Sequence, residues 1–339
     1  MRQAIGFVNT SQGRVAYATV GSGPPLLCDT GWVSHLEFSW REAAYRDFFE
    51  ALAAGHTVIR YDKPGTGLSD RARSRYDIEP EVEAVTAVVD HLDLARLSLF
   101  GASQGGPVVA AYASRNPGRV KRVVLYGTFA CGAELAADAL KSSLVALVKS
   151  NWGLGSELLA DLFLPGCDSA AKEWFSEAQQ ASATAQMAAD LLAANYLIDV
   201  RAELSAITAP TMVIHREKDR VIPFGAGREL AAMIPDATFV PLGGRAHLPY
   251  YGDANAVLQA IAHFLPAAAA STPPPLSPRE MEVATLVAEG LTNGEIASRL
   301  TISPRTADSH VENIRARLGF RSRAQIGAWL EQRKRPTGG

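Results

Sequence analysis

An α/β fold with a mainly parallel sheet, followed by a small all-α domain, is what this 339-residue sequence predicts. From residue 14 onward, short β-branched and apolar runs alternate with longer helical patterns, which favours a parallel sheet with helices on both faces. Between residues 129 and 207 the alternation stops and helical periodicity takes over, so we expect a helical cap over about residues 130–207. Beyond residue 275, four helix-start signals follow one another closely. They predict a compact four-helix domain.

The strands are predicted from the β-branched and apolar runs. In chain order these runs are residues 14–20, 25–28, 57–61, 97–100, 122–126, 211–215 and 238–241. An Ala- and Pro-rich stretch, residues 266–275, then ends the pattern, because its tandem prolines cannot continue a helix and favour an extended spacer. We therefore assign residues 1–265 to an α/β domain, residues 266–275 to a linker and residues 276–339 to the C-terminal domain.

Each helix of the C-terminal domain is expected to begin at a side chain that accepts hydrogen bonds from first-turn N–H groups. Ser277, Thr292 and Ser322 each stand three residues before a Glu or Gln, the spacing of a capping box, and Ser303 supplies the remaining cap. Apolar residues then recur at helical spacing and can close one small core. These residues are Val283, Val287, Ile296, Leu300, Val311, Ile314, Leu318 and Ile326.

Charge is distributed unevenly along the chain. Residues 273–339 contain 10 Lys and Arg against 7 Asp and Glu, whereas residues 1–272 contain 23 against 28. This asymmetry indicates a nucleic-acid partner for the basic end. Cys28, Cys131 and Cys167 lack disulfide or metal-ligand spacing, so we expect no metal site and no cofactor. The sequence has no secretion signal and no long apolar stretch, from which we expect a soluble, cytoplasmic protein without a membrane partner.

A possible hydrolytic site is formed by three residue types in a characteristic chain order. Gly101-Ala102-Ser103-Gln104-Gly105 is a G-x-S-x-G segment between a predicted strand and a predicted helix, where Ser103 is expected to be the nucleophile. His247 follows the last predicted strand and is the expected base, because an imidazole exchanges protons near neutral pH. Asp219 follows the preceding strand and is expected to orient that imidazole. The Gln104 N–H is expected to donate to a developing oxyanion.

A second motif supports a family resemblance. The segment Asp62-Lys63-Pro64-Gly65-Thr66-Gly67-Leu68-Ser69 resembles the D-x-x-G-x-G-x-S turn of the α/β-hydrolase superfamily, and the resemblance covers about residues 5–265. It implies a second oxyanion donor in the loop after the third strand, usually within a His-Gly pair. Here the histidine is replaced by Thr30 and the glycine is Gly31, so the N–H of Trp32 is the expected donor.

The expected ligand is a medium-sized apolar molecule bound under the cap. The candidate pocket residues are aromatic: Trp32, Phe129, Trp152, Trp174 and Tyr196. Serine rather than aspartate at position 103 argues against dehalogenase or epoxide hydrolase chemistry. It favours acyl transfer from an ester, thioester or lactone to water.

The C-terminal domain resembles the LuxR-type helix-turn-helix. The resemblance rests on the segments 276–280, 290–297, 302–307 and 310–319. It implies that the helix beginning near Pro304 enters the major groove of double-stranded DNA. The expected DNA-binding residues on that helix are Arg305, Thr306, Ser309, Asn313 and Arg315. The sequence departs from the family at Ala307, where valine is usual, and at Asp308, where lysine is common. A homodimer on paired half-sites is expected.

Three functions are compatible with this combination. The first is a ligand-responsive transcription regulator whose hydrolase-like domain binds, and in some cases cleaves, a small acyl compound. The second is a serine esterase or lactonase with an auxiliary DNA-binding domain. The third is a protein-interaction scaffold with an inactive pocket, since fold alone does not decide function.

Overall fold

The structure, a computed structural model, describes residues 1–265, 276–318 and 322–334. The chain divides into two compact units, described over residues 1–265 and from residue 276 onward. Each unit has its own hydrophobic core. The linker predicted over residues 266–275 lies outside the described residues.

Eight strands form one sheet in the first unit. They are β1 (Ala4–Thr10), β2 (Gly13–Val20), β3 (Pro25–Asp29), β4 (Thr57–Tyr61), β5 (Leu97–Ala102), β6 (Val120–Tyr126), β7 (Thr211–Arg216) and β8 (Thr238–Leu242). The strand order is β1-β2-β4-β3-β5-β6-β7-β8. β2 pairs antiparallel with β1 and β4, and all other neighbouring strands are parallel. The predicted α/β class with a mainly parallel sheet is therefore confirmed.

The edge strand β1 was not predicted. None of its seven residues is buried, because it pairs with β2 alone at the edge of the sheet. Its sequence therefore lacks the apolar alternation by which half-buried strands are recognised. The seven predicted runs all form strands.

Helices cover both faces of the sheet. They are α1 (Leu36–Arg41), α2 (Ala43–Ala53), α3 (Glu79–His91), α4 (Gly105–Arg115), α5 (Asp138–Ser150), α6 (Trp152–Phe163), α7 (Ser169–Ser182), α8 (Ala185–Asn195), α9 (Arg201–Leu204), α10 (Phe224–Met233) and α11 (Ala254–Phe264). Successive residues of a strand point to opposite faces. Leu99 and Val213 accordingly pack into the core that includes α3, α4 and α10, whereas Phe100 and Ile214 pack into the core that includes α2 and α11.

The cap consists of helices α5 to α9, which lie between β6 and β7 in the sequence. Three of these helices begin at a side chain that caps them. Asn151, Asp168 and Thr184 accept hydrogen bonds from first-turn N–H groups of α6, α7 and α8. Helices α5 to α8 pack apolar residues into the same core as α2 and α11, whereas Leu204 of α9 packs into the core that includes α3, α4 and α10. The carboxyl ends of the parallel strands and the cap therefore enclose the candidate site.

The second unit is helical. Its helices are α12 (Pro278–Ala288), α13 (Asn293–Leu300), α14 (Pro304–Leu318) and α15 (Arg323–Lys334). Ser277 and Thr292 form complete capping boxes with Glu280 and Glu295, as their spacing predicts. Among the helices of the described ranges, in both units, none has the length and apolar composition needed to cross a bilayer.

Candidate active site and nucleic-acid interface

Ser103 lies in the tight turn between β5 and α4. Its φ of 54° is in the left-handed region that residues other than glycine seldom adopt. The Ser103 N–H donates to the Tyr126 carbonyl at 3.0 Å, and the Ser103 carbonyl accepts from Thr128 Oγ1 at 2.6 Å. Glycine is required at position 105, because a Cβ atom on Gly105 would lie 2.4 Å from the carbonyl oxygen of Asp29. This strained strand-to-helix turn has the geometry of a nucleophile elbow.

The structure brings Asp219 and His247 together from the loops that follow β7 and β8. Asp219 Oδ2 accepts from His247 Nδ1 at 2.7 Å. Its Oδ1 accepts from the N–H groups of Val221 and Ile222 at 2.8 and 3.2 Å. Burial alone raises the pKa of Asp219, but the His247 imidazole and these hydrogen bonds outweigh it and hold the pKa below its ordinary value. An ionised Asp219 keeps a proton on Nδ1 and leaves Nε2 able to accept one.

His247 is held by the cap as well as by Asp219. The His247 N–H donates to the Phe163 carbonyl at 2.7 Å, and the two rings pack edge to face at 4.8 Å. The side chain is buried, and Nε2 has no hydrogen-bond partner in the described part of the chain. Ser103 and His247 are therefore not hydrogen-bonded to each other here, and such contacts often tighten only when substrate binds.

A second histidine, His215 on β7, supports the Asp219 loop. Its Nε2 donates to the Ile222 carbonyl at 3.0 Å and lies 3.9 Å from Asp219 Oδ2. Burial lowers the pKa of His215, which keeps the ring neutral. Sequence reasoning gave this residue no ligand role, because the histidines outside the predicted triad form no metal-like cluster in the sequence.

The expected oxyanion donors, the N–H groups of Trp32 and Gln104, come from separate loops. Gln104 follows Ser103 and is the N-cap of α4, and Trp32 lies in the loop after β3. Neither N–H donates to a backbone carbonyl in the described part of the chain. Trp32, Ser103 and Gln104 all border one cavity. The two N–H groups are therefore available to a ligand oxygen.

Both loops are fixed by a cluster of buried charged side chains that the sequence did not reveal. Lys63 Nζ donates to Asp29 Oδ2 at 2.9 Å and to Glu81 Oε2 at 2.7 Å, and Arg73 donates to Glu81 Oε1 at 3.2 Å. Gln104 Nε2 also donates to Glu81, at 2.8 Å. Burial raises the pKa of Asp29. For Glu81, burial is outweighed by the two cations and the pKa is lowered.

The cavity that Ser103 borders is apolar and has a volume of about 310 Å³. That volume is at the small end of the range for ligand pockets. Seven leucines line it: Leu135, Leu140, Leu144, Leu158, Leu159, Leu162 and Leu192. Leu140 and Leu158 are 54% and 38% exposed, so the leucine-lined wall continues to the surface of the cap. We call this space the leucine cavity.

A smaller space of about 40 Å³ shares Ser103, Trp32 and Phe163 with the leucine cavity. Trp174 and Gln179 also line it. Three buried polar atoms at its border, Trp32 Nε1, Trp174 Nε1 and Gln179 Oε1, have no hydrogen-bond partner in the described residues. We call it the polar space. The residues that the two spaces share place the elbow serine beside both of them.

Two of the five predicted pocket residues do not line either space. Phe129 is fully buried in the core on the α4 face and borders a separate cavity beside Arg201 and Pro223. Trp152 packs edge to face against Trp32 at 6.2 Å, and its Nε1 donates to the Ala183 carbonyl. Neither Phe129 nor Trp152 therefore borders the spaces beside Ser103 in this structure. Of the others, Trp32 borders both spaces, Trp174 the polar space and Tyr196 the leucine cavity.

The second unit presents the predicted DNA-binding residues on α14. Arg305, Thr306, Ser309 and Asn313 are exposed, and Arg315 is half-buried. Three of these side chains form hydrogen bonds or ion pairs within the domain. Thr306 Oγ1 is 2.7 Å from Ser303 Oγ, Ser309 Oγ donates to the Arg305 carbonyl at 2.9 Å, and Arg315 pairs with Glu312 at 2.6 Å.

The two departures from the LuxR-type pattern have different structural consequences. Ala307 is fully buried and belongs to the core of the domain. Asp308 is exposed, and its Oδ1 accepts from Asn293 Nδ2 at 2.5 Å, while Asn293 Oδ1 accepts from Arg323. Asp308 therefore links α14 to α13 and, through Asn293, to α15.

Comparison with known families decides the identity of the first unit. The family described as the alpha/beta hydrolase fold matches residues 24–254. The chain belongs to the α/β-hydrolase superfamily. A second family, described as bacterial regulatory proteins of the luxR family, matches residues 274–330. The α/β-hydrolase domain is thus fused to a LuxR-family DNA-binding domain, and both resemblances found in the sequence are confirmed.

Similar proteins match the hydrolase domain along most of their own length. The AB hydrolase superfamily protein YisY of Bacillus subtilis is 27% identical over 256 residues, covering 72% of this chain and 92% of that protein. A 2-hydroxy-6-oxononadienedioate/2-hydroxy-6-oxononatrienedioate hydrolase of Cupriavidus pinatubonensis is 29% identical over 262 residues, covering 72% and 84%. The crystal structure of a hydrolase from Pseudomonas aeruginosa is 27% identical, with a TM-score of 0.68, and covers 78% of this chain and 98% of that chain.

Sequence reasoning about this α/β hydrolase missed the leucines and favoured aromatic side chains. The helical spacing of the leucines in the cap was visible, but it also fits packing within the cap. Phe163, one of the aromatic residues of the predicted cap, contacts His247 and borders both spaces. In the described ranges, no group of three or more His, Cys, Asp or Glu side chains is placed to hold a metal ion.

Proposed function

We propose that this protein is a transcription regulator whose α/β-hydrolase domain binds and hydrolyses a small ester, thioester or lactone. Occupancy of that site controls DNA binding by the LuxR-family domain. The observation that carries the proposal is the elbow serine, Ser103, which borders a ligand-sized apolar cavity in the same chain as a DNA-binding domain.

In the proposed reaction, Ser103 Oγ attacks the carbonyl carbon of the ligand and passes its proton to His247 Nε2. Asp219 stabilises the resulting imidazolium through its 2.7 Å hydrogen bond to Nδ1. The N–H groups of Trp32 and Gln104 stabilise the tetrahedral oxyanion. His247 then returns the proton to the leaving alcohol or thiol. Water, activated by the same imidazole, releases the acid from the acyl-serine.

The two spaces beside Ser103 support a ligand with an apolar chain and a small polar end. The leucine cavity suits an aliphatic chain, because its lining offers dispersion contacts and few hydrogen bonds. The polar space offers Trp32 Nε1, Trp174 Nε1 and Gln179 Oε1 to a polar group. The relative from Cupriavidus is named as a hydrolase, which agrees with the proposed reaction class.

The LuxR-family domain supplies the regulatory output. We propose that α14 reads the major groove through Arg305, Thr306, Ser309, Asn313 and Arg315, and that the chain binds paired half-sites as a homodimer. Arg305 and Asn313 form no side-chain hydrogen bond or ion pair with other described residues, which leaves both available to bases or phosphates. Ligand control requires that the occupied and empty forms differ in DNA affinity.

The experiment compares Ser103→Ala with the wild type in two assays of the full chain. We expect the variant to lose turnover of a nitrophenyl octanoate ester by at least about 10³-fold, and to keep its affinity for DNA selected from a random-sequence library. Ser143→Ala, a substitution of an exposed serine on α5, serves as the matched control and should retain wild-type turnover. Wild-type turnover by Ser103→Ala would refute Ser103 as the nucleophile.

A further inference from the structure

Among the cap residues that line the leucine cavity, Asn195 has a buried polar atom that no described residue satisfies. Asn195, the last residue of α8, lines the cavity and is 9% exposed. Its Oδ1 is buried without a hydrogen-bond partner, and its side-chain amide bonds to no other described residue. An amide buried in this way opposes folding unless another group binds to it.

Some other buried polar groups of the cap bond to one another, whereas Trp174 Nε1 and Gln179 Oε1 at the polar space also lack a partner among the described residues. Ser156 Oγ and Ser176 Oγ are 2.8 Å apart, and Gln179 Nε2 donates to the Ser156 carbonyl at 3.1 Å. Asn195 has no such neighbour, because α5 and α6 contribute only leucines and Phe163 to the cavity wall. The unsatisfied oxygen of Asn195 lies where the chain of the ligand is proposed to bind.

The position of Asn195 is fixed by close packing at the end of α8. Residue 132 must be glycine, since a Cβ atom on Gly132 would lie 2.1 Å from the Asn195 carbonyl oxygen. The Gly132 N–H also donates to the Ile198 carbonyl at 2.7 Å, just beyond the helix. This packing holds the backbone that presents the amide to the cavity.

We propose that Asn195 is a specificity residue that recognises a hydroxyl group on the aliphatic chain of the ligand, an inference that rests on the proposed function. An amide carries both donors and an acceptor, and a hydroxyl can both donate to Oδ1 and accept from Nδ2. A keto oxygen satisfies only Nδ2. A charged group requires a buried counter-charge, and the only charged residue among those lining the cavity in the described structure is Arg220, which is exposed. The ligand class is therefore a hydroxylated aliphatic acyl compound.

The test measures binding to the full-length Ser103→Ala protein, so that esters are not consumed. Methyl octanoate is compared with methyl hydroxyoctanoates that carry one hydroxyl at successive carbons, by calorimetric titration. We expect one of these isomers to bind about tenfold more tightly than the unsubstituted ester. Adding Asn195→Leu should abolish that preference, because leucine is similar in size and offers no hydrogen bond.

The control is Gln186→Leu, which changes an exposed amide near the start of the same helix and should leave the preference intact. The inference is overturned if no hydroxyl isomer is preferred, or if the preference survives Asn195→Leu. Because these titrations do not require turnover, a failure of hydrolysis in the wild type is distinguishable from a failure of this inference.

Thermal unfolding supplies an independent measurement. If the amide is unsatisfied in the empty protein, Asn195→Leu should raise the midpoint of the hydrolase domain by on the order of 2 °C. A lower midpoint would show that the amide already has a partner and would overturn the inference.

Discussion

Asp219→Asn is a direct test of the proposed orientation of His247 by Asp219. The substitution replaces one carboxylate oxygen by an amide nitrogen and keeps the hydrogen bonds that hold the loop after β7. In the wild type, the N–H groups of Val221 and Ile222 donate to Asp219 Oδ1 at 2.8 and 3.2 Å. The side-chain amide oxygen of the variant can still accept both of these hydrogen bonds. Its amide nitrogen would lie where Asp219 Oδ2 now accepts from His247 Nδ1 at 2.7 Å. Two donors cannot face each other at that distance, so the imidazole must move its proton from Nδ1 to Nε2.

In that tautomer, the His247 imidazole no longer acts as the base. With Nε2 already protonated, the imidazole cannot accept the proton of Ser103, and kcat should fall by about 10³- to 10⁴-fold, as the equivalent change does in serine protease triads. KM should change less than about threefold, because Asp219 does not line the leucine cavity, where the substrate is proposed to bind. The loop hydrogen bonds remain, so the variant should stay folded.

The assay is steady-state hydrolysis of nitrophenyl octanoate by the full chain, with circular dichroism as the check on folding. Asp161→Asn is the matched control, since Asp161 is an exposed cap carboxylate paired with Lys172 at 2.7 Å. It should retain wild-type kcat. A folded Asp219→Asn protein with kcat within about threefold of wild type would refute the assignment of His247 as a base oriented by Asp219.

Three further predictions concern pH, capping and DNA binding. Burial raises the pKa of Asp62 to about 6, so its contribution to stability is lost as pH rises through that value. In urea unfolding, Asp62→Asn should therefore raise the free energy of unfolding of the hydrolase domain by up to about 3 kcal/mol more at pH 8 than at pH 4. An equal change in this free energy at both pH values would contradict the prediction. Ser277→Ala removes the side-chain cap of α12 and should destabilise the DNA-binding domain by about 1 kcal/mol, seen as faster hydrogen exchange in peptides from α12; unchanged exchange would count against it. Arg305→Ala should weaken binding to library-selected DNA about tenfold at fixed salt, and unaltered affinity in a gel-shift titration would exclude Arg305 from the interface.

The general architecture could be predicted because its signals are local. Buried parallel strands such as β5 and β7 are short apolar runs, and the helix starts at Ser277 and Thr292 are specified by capping residues within four positions. Ser103, Asp219 and His247 could be predicted as a group because each follows a strand in a known chain order, and the structure brings Asp219 and His247 together. The strand β1 was missed, since its pairing with β2 leaves its side chains at least partly exposed.

The pocket was predicted less well because its walls depend on how the cap helices turn in three dimensions. Phe129 and Trp152 have the composition of pocket residues, but the first faces the core and the second packs behind Trp32. Lys63 and Glu81 were not expected to be buried, since charged side chains usually face solvent. Their pairing is a long-range contact that no local pattern encodes.

The central claim is that occupancy of the Ser103 site controls the DNA-binding domain. Its most direct test is the Kd of the full chain for library-selected DNA, measured by fluorescence anisotropy before and after Ser103 is covalently labelled with a nitrophenyl octylphosphonate. We predict a change of at least about fivefold in the wild type and none in identically treated Ser103→Ala. An unchanged Kd for wild-type protein that mass spectrometry shows to be fully labelled would contradict the account.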